Sequence, residues 1–224
     1  MLVIFDVDGT LIDSRRLIHA AQVATFEAHG MVPPSEAAVL SLVGISLGPT
    51  FERLVGKDGP VEAMVETYKN VFNGLLAGPD GREPLFPGVQ DLLPKLAVRR
   101  DLLLGIASGK SRRGIDRVTA EHGWDSLFAT IQTADGHPSK PHPSMLLAAM
   151  EEVGASPGET LFIGDTTYDV EMASAAGVRP IGVAWGYHPV ADLIAAGAER
   201  ILHRIEDLEA LLPPVSAVPL ARSA

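Results

Sequence analysis

The chain has 224 residues and a formal net charge of −10, with 46% hydrophobic and 21% charged residues. This composition is typical of a globular protein built as one large domain or as a core with an insertion, and the negative charge disfavours nucleic acid or an anionic membrane as the main partner. The absence of cysteine excludes disulfides and thiolate metal sites. There is no signal-peptide pattern and no apolar run of the ~20 residues that span a bilayer, so we expect a soluble, cytoplasmic protein.

The first ten residues predict a buried strand that ends in two carboxylates. Residues 1–5 form an apolar run, and Asp6 and Asp8 follow directly before the turn residues Gly9 and Thr10. Open α/β sheets bind their ligands at the carboxyl ends of the strands. Because two acids so close together repel each other unless a cation or a shared proton compensates, we expect a divalent metal ion at this strand end.

The next part of the chain predicts helices. From about residue 15 to residue 69, apolar residues recur at helical spacing, as at Leu17 and Ala21. Prolines and glycines divide this stretch into short helices, and the Gly- and Pro-rich residues 77–87 are expected to form a connection. After the first strand, no further strand is expected before about residue 102.

The remainder of the chain alternates between strand-like and helical patterns. Strands are predicted at residues 102–107, 127–133, 160–163 and 180–184. Helices are predicted at residues 111–122, 143–153, 167–176 and 190–196. Such alternation is typical of a parallel sheet that is covered on both faces. The predicted fold class is therefore α/β, a Rossmann-like parallel sheet core with helices on both faces and an inserted all-helical segment.

These patterns also predict the domain organisation. We interpret residues 1–14 and 86–212 as the α/β core and residues 15–85 as the helical insertion. Residues 213–224 contain mainly Pro, Ser and Ala and are expected to form a loosely ordered tail.

Three further strand ends carry polar residues. The second core strand leads into Ser108 and Gly109, which can present a hydroxyl and a backbone amide to an anion at a helix start. The third strand leads to Lys140, whose ammonium can neutralise a phosphoryl oxygen. The fourth strand ends at Asp165, and Asp169 lies four residues on, which would place both acids on one face if the helix starts at Asp165.

Together the strand ends supply four carboxylates, one lysine and one hydroxyl. Hard oxygen ligands with few histidines favour Mg²⁺, which binds phosphates well. This set fits phosphoryl transfer, in which a carboxylate attacks phosphorus to form an aspartyl-phosphate while the metal and the lysine neutralise the oxygens. A second acid can protonate the leaving oxygen and later activate water.

Other interpretations of these residues remain open at this point. Asp165 and Asp169 could instead cap a helix N-terminus or complement its charge. The segment Gly109-Lys110-Ser111 is similar to the end of a nucleotide-binding phosphate loop, but that motif requires glycine where Leu104 stands. A nucleotide triphosphatase is therefore disfavoured, and Lys110 is expected to lie exposed on the turn.

The chain resembles the haloacid dehalogenase-like hydrolase superfamily, whose four motifs match, in order, Asp6-Val7-Asp8-Gly9-Thr10, Ser108, Lys140 and Gly164–Asp169. The resemblance extends to about Leu212. The helical insertion resembles the helical cap domain of this family, and residues 164–177 are especially similar to the phosphoglycolate phosphatase group. A cap that closes over an α/β core is therefore implied.

The resemblance implies a catalytic and metal-binding role for each matched acid. Asp6 would be the nucleophile and a Mg²⁺ ligand. Asp8 would be the general acid and base, with its backbone carbonyl on the metal. Asp165 would ligate the metal, and Asp169 would support it directly or through water.

The resemblance also implies the substrate-binding residues. Ser108 and the Gly109 amide would hold the phosphoryl group, Lys140 would neutralise it, and Thr10 would help to fix the loop. In this family an acid at the position of Asp8 favours cleavage of a phosphate ester. The implied activity is a Mg²⁺-dependent phosphatase for a small phosphorylated metabolite, with phosphoglycolate as the leading candidate and pyrophosphate, sugar phosphates and nucleoside monophosphates as further candidates.

Two other functions remain open. A sugar-phosphate mutase of the same superfamily would also keep Asp8. A phospho-acceptor or binding module without turnover could keep the Mg²⁺ site, although it would have no need of a leaving-group acid. Residues 44–47 and the basic Arg15, Arg16 and Arg53 are candidates for substrate selection, and the sequence does not indicate the oligomeric state.

Overall fold

The computed structural model describes residues 1–79 and 81–214. Within them one sheet contains the strands β1 (Leu2–Phe5), β2 (Leu103–Ser108), β3 (Thr130–Thr133), β4 (Thr160–Gly164), β5 (Arg179–Val183) and β6 (Arg200–Leu202). The helices are α1 (Arg15–Ala28), α2 (Glu36–Leu40), α3 (Leu47–Val55), α4 (Val61–Leu76), α5 (Val89–Ala97), α6 (Arg112–His122), α7 (Ser144–Val153), α8 (Thr167–Ala175) and α9 (Val190–Ala196). None of the helices in these two ranges is long and apolar enough to cross a membrane.

The strands of the sheet are all parallel, and their order is β3-β2-β1-β4-β5-β6. β1 lies inside the sheet, where Ile4 pairs with Gly105 of β2 on one side and with Phe162 of β4 on the other. The strand order reverses between β1 and β4, and open α/β sheets form their ligand crevice at such a point. The predicted Rossmann-like parallel sheet is confirmed, and the carboxyl ends of β1 and β4 lie side by side.

Helices cover both faces of the sheet, as the alternating pattern predicts. All four residues of β1 are buried. Val3 and Phe5 belong to one apolar cluster with α5 and α6, whereas Leu2 and Ile4 belong to a second cluster with α7 and α8. Burial of both faces explains why this strand is a continuous apolar run. Its carboxyl end is held by close packing on two sides.

Helices α1–α4 form a helical insertion between β1 and α5. Phe26, Phe51, Met64 and Tyr68 lie in an apolar cluster of the insertion's own. The rings of Phe51 and Tyr68 meet edge to face, with centroids 6.0 Å apart. The all-helical segment is present, although α1 and α4, with 14 and 16 residues, are longer than the short helices that the punctuation predicts.

Some elements differ from the prediction. Helix α5 is not predicted because Pro94 lies in its interior, and proline disfavours helices at such a position. Strand β6 has only three residues, too few for a recognisable pattern. The domain boundaries at residues 14/15 and 85/86 remain predictions, and residues 215–224 of the predicted tail lie outside the described residues.

Candidate active site

The loop after β1 folds back on itself and fixes two carboxylates. The Asp6 amide still belongs to the sheet and donates to the Ile163 carbonyl at 2.9 Å, while the Ile12 amide turns back to the Val7 carbonyl at 3.0 Å. Asp6 is 1% exposed, and the Asp8 side chain is 14% exposed. Both acids line a cavity, so the end of β1 opens into a space that can hold a ligand.

Gly9 allows this loop to approach β4. Its φ is +89°, a conformation that strains residues with a side chain. A Cβ at this position would also overlap with the Asp165 carboxylate. Steric constraints therefore exclude a side chain at this position and explain why glycine follows the two aspartates.

Asp165 lies directly after β4 and is held by two donors. Its Oδ1 accepts from the Thr10 hydroxyl at 3.0 Å, and its Oδ2 accepts from the Tyr187 amide at 2.9 Å. Asp165 and Thr10 are both fully buried. Thr10 contacts Asp165 and is not among the described residues that line the cavity, so its role in fixing the loop stays a prediction.

Asp169 makes two kinds of contact at the start of α8. Its Oδ2 accepts from the Thr166 amide at 2.9 Å and from the Thr166 hydroxyl at 2.8 Å. The Asp169 amide in turn donates to the Thr166 hydroxyl oxygen at 3.3 Å, and the two backbone donations form a capping box. Its Oδ1 accepts from the Lys140 ammonium at 2.6 Å. The helix-capping interpretation therefore holds for one oxygen, while the other oxygen joins a cluster of charges.

Three acids converge on one point at the strand ends. One carboxylate oxygen from each of Asp6, Asp165 and Asp169 lies within 4.8 Å of the others. Lys140 is 2% exposed, and its Nζ lies 2.9 Å from Asp6 and 2.6 Å from Asp169. Three carboxylates against one ammonium leave a formal charge of −2. Because burial strongly penalises unpaired charge, this cluster favours a further cation.

The Asp6 carboxylate is the member of this cluster that lacks donors. Neither of its oxygens accepts a hydrogen bond from any residue that the structure describes. Lys140 is close enough for an ion pair with Oδ1, but its geometry is not that of a hydrogen bond. Buried polar atoms without a partner are uncommon in folded proteins. A carboxylate with one oxygen in an ion pair and the other without a described partner suits a nucleophile that also binds a metal.

Burial changes the ionisation of the cluster. It raises the pKa of Asp6 to about 6, against the lowering effect of Lys140. Burial also raises the pKa of Asp165, together with the charges of Asp169 and Asp6. Burial alone would lower the pKa of Lys140, but Asp169 and Asp6 raise that pKa above its usual range. Lys140 is therefore a stable cation, and the carboxylates would be stabilised by additional positive charge.

The residues of the cluster fit Mg²⁺. The ligand atoms they offer are carboxylate oxygens, which are the hard donors that this ion prefers. The Asp6 oxygens without hydrogen bonds and the excess negative charge indicate where a cation would be stabilised. Asp6, Asp165 and Asp169 are the side chains that would hold it.

Lys110 is buried, so the expectation of an exposed lysine is wrong. Its side chain is 9% exposed, and its Nζ lies 2.9 Å from Asp8 Oδ1 and 3.0 Å from Glu83 Oε1. Glu83 is 1% exposed and also pairs with Arg117 of α6. Burial opposes the charge of Lys110, but Asp8 and Glu83 raise its pKa. One ammonium thus links Asp8 to the connection that returns from the helical insertion.

Ser108 is the last residue of β2 and Gly109 follows it, and both line the same cavity. Ser108 is 1% exposed, and its Oγ accepts from the Lys110 amide at 3.3 Å. A Cβ on Gly109 would lie 2.6 Å from the Gly44 carbonyl oxygen. The position where the resemblance implies an amide contact with the phosphoryl group is therefore also a close contact between the core and the insertion.

The cavity has a volume of about 650 Å³ and lies between the strand ends and the helical insertion. We define the polar floor as the core side chains Asp6, Asp8, Ser108, Lys110, Arg113 and Arg117. We define the apolar roof as the insertion side chains Val39, Leu42, Ile45, Tyr68, Phe72 and Leu76. Four cations also line the cavity: Lys69, Lys110, Arg113 and Arg117.

The residues that the sequence offers for substrate selection lie in different places. Three of the four residues in the segment 44–47 line the cavity. Arg53 instead donates to the Tyr168 hydroxyl at 2.6 Å. Arg15 and Arg16 line a separate depression. Of these candidates, only the segment 44–47 is placed to contact a ligand beside Asp6 in the described structure.

A model of the haloacid dehalogenase-like hydrolase family matches residues 3–183 of the chain. The probable phosphatase IndB of Dickeya dadantii is 34% identical over 212 residues, which cover 92% of this chain and 91% of that protein. The phosphoglycolate phosphatase of Synechococcus elongatus is 33% identical over 207 residues, which cover 92% of this chain and 94% of that protein.

Solved structures show the same architecture. A haloacid dehalogenase-like family hydrolase from Streptococcus pneumoniae superposes with a TM-score of 0.81 at 25% identity, over 94% of this chain and 97% of that chain. The similarity therefore includes the helical insertion as well as the sheet.

Proposed function

Because the chain belongs to the haloacid dehalogenase-like hydrolase family, we propose that it is a Mg²⁺-dependent phosphatase that acts through an aspartyl-phosphate on Asp6. Its substrate would be a small phosphorylated metabolite. The names of its relatives support hydrolysis of a phosphoric monoester. The observation that carries the proposal is the Asp6 carboxylate, which is buried beside the cavity with two oxygens that no described residue donates to.

The proposed reaction has two halves. An Asp6 oxygen attacks the phosphorus, the bond between phosphorus and the ester oxygen breaks, and Asp8 gives its proton to the departing oxygen. Asp8 then takes a proton from water while the water oxygen attacks the phosphorus on Asp6, which releases inorganic phosphate and restores the Asp6 carboxylate. Lys140, 2.9 Å from Asp6, would stabilise negative charge in both halves.

When bound, Mg²⁺ supplies positive charge that stabilises the oxygens of the transferring phosphoryl group. The chain prepares the other two ligands for this ion. Thr10 and the Tyr187 amide orient Asp165, and Thr166 orients Asp169. Asp165 and Asp169 are thus oriented by hydrogen bonds, whereas Asp6, the proposed nucleophile, accepts none from the described residues.

The helical insertion would act as a cap that excludes bulk water during transfer and reopens for release. The names of the relatives differ in what they say of the substrate, since one states only a phosphatase and another states phosphoglycolate. Phosphoglycolate is the candidate that resemblance favours, and it remains a prediction.

Phosphate release from a panel of small phosphate esters, with Mg²⁺ or with a chelator, tests this proposal. We expect release that depends on Mg²⁺ and that falls by at least about 10³-fold in Asp6→Asn, because a carboxamide does not form the acyl phosphate. Asp58→Asn is the matched control, since it makes the same change at an exposed position of the insertion.

Release that persists in Asp6→Asn would contradict the assignment of the nucleophile. No release from any ester, together with a phosphoryl group trapped on Asp6, would instead favour the mutase or the phospho-acceptor. Intact-mass spectrometry of the protein after incubation with a phosphate ester detects that species.

A further inference from the structure

The cavity beside Asp6 and Asp8 is divided by chemical character. Among the residues that the structure describes, every apolar side chain lining the cavity belongs to the helical insertion. The charged side chains of the polar floor stand opposite, on the strand ends and on α6, while the insertion also contributes the polar side chains Gln22, Thr50, Lys69 and Asn73 to the lining. Leu42, Phe72 and Leu76 of the apolar roof keep accessible surface, so they are available to a ligand.

This division carries an inference about the substrate, which rests on the proposed phosphatase function. We infer that the substrate is the phosphate monoester of a largely apolar alcohol. Its phosphoryl group lies on the polar floor, and the body of the alcohol lies under the apolar roof. Removal of apolar surface from water then contributes to binding, and it does so only for an ester that reaches the roof.

The cations of the polar floor support this assignment. Lys110 is paired with Asp8 and Glu83, and Arg117 is paired with Glu83. Arg113 has no ion pair within the described part of the chain, but it is exposed to solvent. A second negative group on the substrate, such as the carboxylate of phosphoglycolate, therefore finds no unpaired buried cation among the described floor residues.

The size of the cavity also favours a substrate larger than phosphoglycolate. About 650 Å³ falls within the range of roughly 300–1,000 Å³ that is typical of pockets for drug-sized ligands. A two-carbon ester would occupy a small part of this volume and would leave the apolar roof facing water.

Gln22 on α1 adds one polar requirement. It lines the cavity and is 2% exposed, and its Oε1 accepts no hydrogen bond from any described residue. A buried amide oxygen without a donor is unfavourable, and a ligand that donates to it relieves this penalty. The alcohol is therefore expected to carry one hydroxyl or N–H group that reaches Gln22 from an otherwise apolar body.

A graded series of substrates tests the apolar part of the inference. The measurement is kcat/KM of the purified full chain in Mg²⁺ for n-alkyl phosphates from ethyl to octyl and for phosphoglycolate. We expect kcat/KM to rise about two- to fourfold per methylene until the cavity is full and to exceed the value for phosphoglycolate. A flat or falling series with phosphoglycolate as the best substrate would overturn the inference and leave the proposed function intact. No release from any ester would overturn both.

A pair of matched variants tests where the apolar contact is made. Leu76→Trp fills part of the space under the roof. We expect it to reduce the increase in kcat/KM from ethyl to octyl phosphate by at least about fivefold. Leu147→Trp makes the same change on α7, at a leucine that is 48% exposed, and should keep the wild-type gain. An unchanged gain in Leu76→Trp would overturn the roof assignment. The wild-type series decides the inference if this variant does not fold.

A second pair of substrates tests Gln22. The readout is the ratio of kcat/KM between hydroxyl-terminated and plain alkyl phosphates of equal length. We expect the wild type to prefer a hydroxylated ester of suitable length, and Gln22→Leu to lower that preference by about three- to tenfold. The same ratio in both proteins would overturn the assignment of Gln22.

Discussion

The polar floor and the apolar roof enclose one cavity but are held in different ways. Acids at the strand ends are held by specific partners. Lys110 pairs with Asp8, and the Thr10 hydroxyl donates to Asp165. Roof side chains such as Leu42 and Phe72 lie on or beside helices and are held by packing. Loss of one buried polar partner leaves an unsatisfied group, whereas apolar residues of similar volume replace one another at low cost. We infer that the polar floor determines the reaction, whereas substitutions in the apolar roof can change which substrate is bound.

The largest expected effect comes from the floor. Asp8→Asn keeps the shape of the side chain and removes its proton, so kcat should fall by about 10²–10⁴-fold, with phospho-Asp6 accumulating. Steady-state kinetics and intact-mass spectrometry measure both effects. Asp58→Asn again serves as the control, and wild-type kcat in Asp8→Asn would refute the acid and base assignment.

A second change removes the cation of the buried cluster. Lys140→Met leaves three carboxylates without their ammonium, so the free energy of unfolding in chelator should fall by about 3–5 kcal/mol. Lys95→Met is the matched control, because Lys95 pairs with Glu209 at 2.7 Å while its side chain is 62% exposed. This variant should lower the free energy of unfolding by less than about 1 kcal/mol. Urea denaturation measures both, and equal losses would mean that burial of the cluster does not matter.

The pH dependence of stability examines the same cluster without mutation. The pKa of Asp6 is about 6 in the folded chain against an ordinary value of 3.8. The folded state therefore binds more protons between these values, and in chelator its free energy of unfolding should fall as pH rises through this window, by the order of 2 kcal/mol. Asp165 shifts in the same direction. Mg²⁺ should flatten this slope, and a rise of stability with pH across the window would contradict the assigned pKa.

A smaller effect is expected where the floor meets the returning connection. Glu83→Gln weakens the pairing with Lys110 and Arg117, so Lys110 should lose its orientation toward Asp8 and kcat should fall about tenfold with little change in KM. Glu121→Gln is the control, since Glu121 also pairs with Arg117 but its side chain is 41% exposed. An effect on KM alone would show that Glu83 does not act through Asp8.

The smallest effect is expected in the roof. Leu42→Ala should lower kcat/KM for the preferred ester by about two- to tenfold, mainly through KM, because roof contacts are made in the ground state and the transition state alike. Val32→Ala, at a position of the insertion that is 89% exposed, is the control. If Leu42→Ala lowered kcat as much as Asp8→Asn does, the claim that roof residues affect binding rather than chemistry would be wrong.

Much of the polar site could be predicted from the sequence, because its residues lie in the segments that follow the strands. The carboxyl ends of parallel strands meet at one edge, so the chain order of Asp6, Lys140, Asp165 and Asp169 is enough to expect them together. The structure brings these four side chains into one cluster. Their roles in the reaction remain predictions.

Other parts of the site could not be predicted from local patterns. The partners of Lys110 lie 102 residues away at Asp8 and 27 residues away at Glu83, and no spacing rule connects them. The roof residues Tyr68 and Phe72 lie on the same face of α4 as Met64, which belongs to the apolar cluster of the insertion. Helical periodicity marks a buried face but does not say whether that face covers a core or a cavity.

The position of β1 in the sheet has a consequence for the order of folding. Leu2 pairs with Leu103 on one side and with Thr160 on the other, and contacts between residues so distant in the chain form slowly. The insertion, by contrast, closes an apolar cluster from Ala21 to Tyr68. Because synthesis releases the N-terminal part first, the helical insertion can assemble while β1 still lacks both neighbours. Asp6 and Asp165 can come together only when β4 joins the sheet.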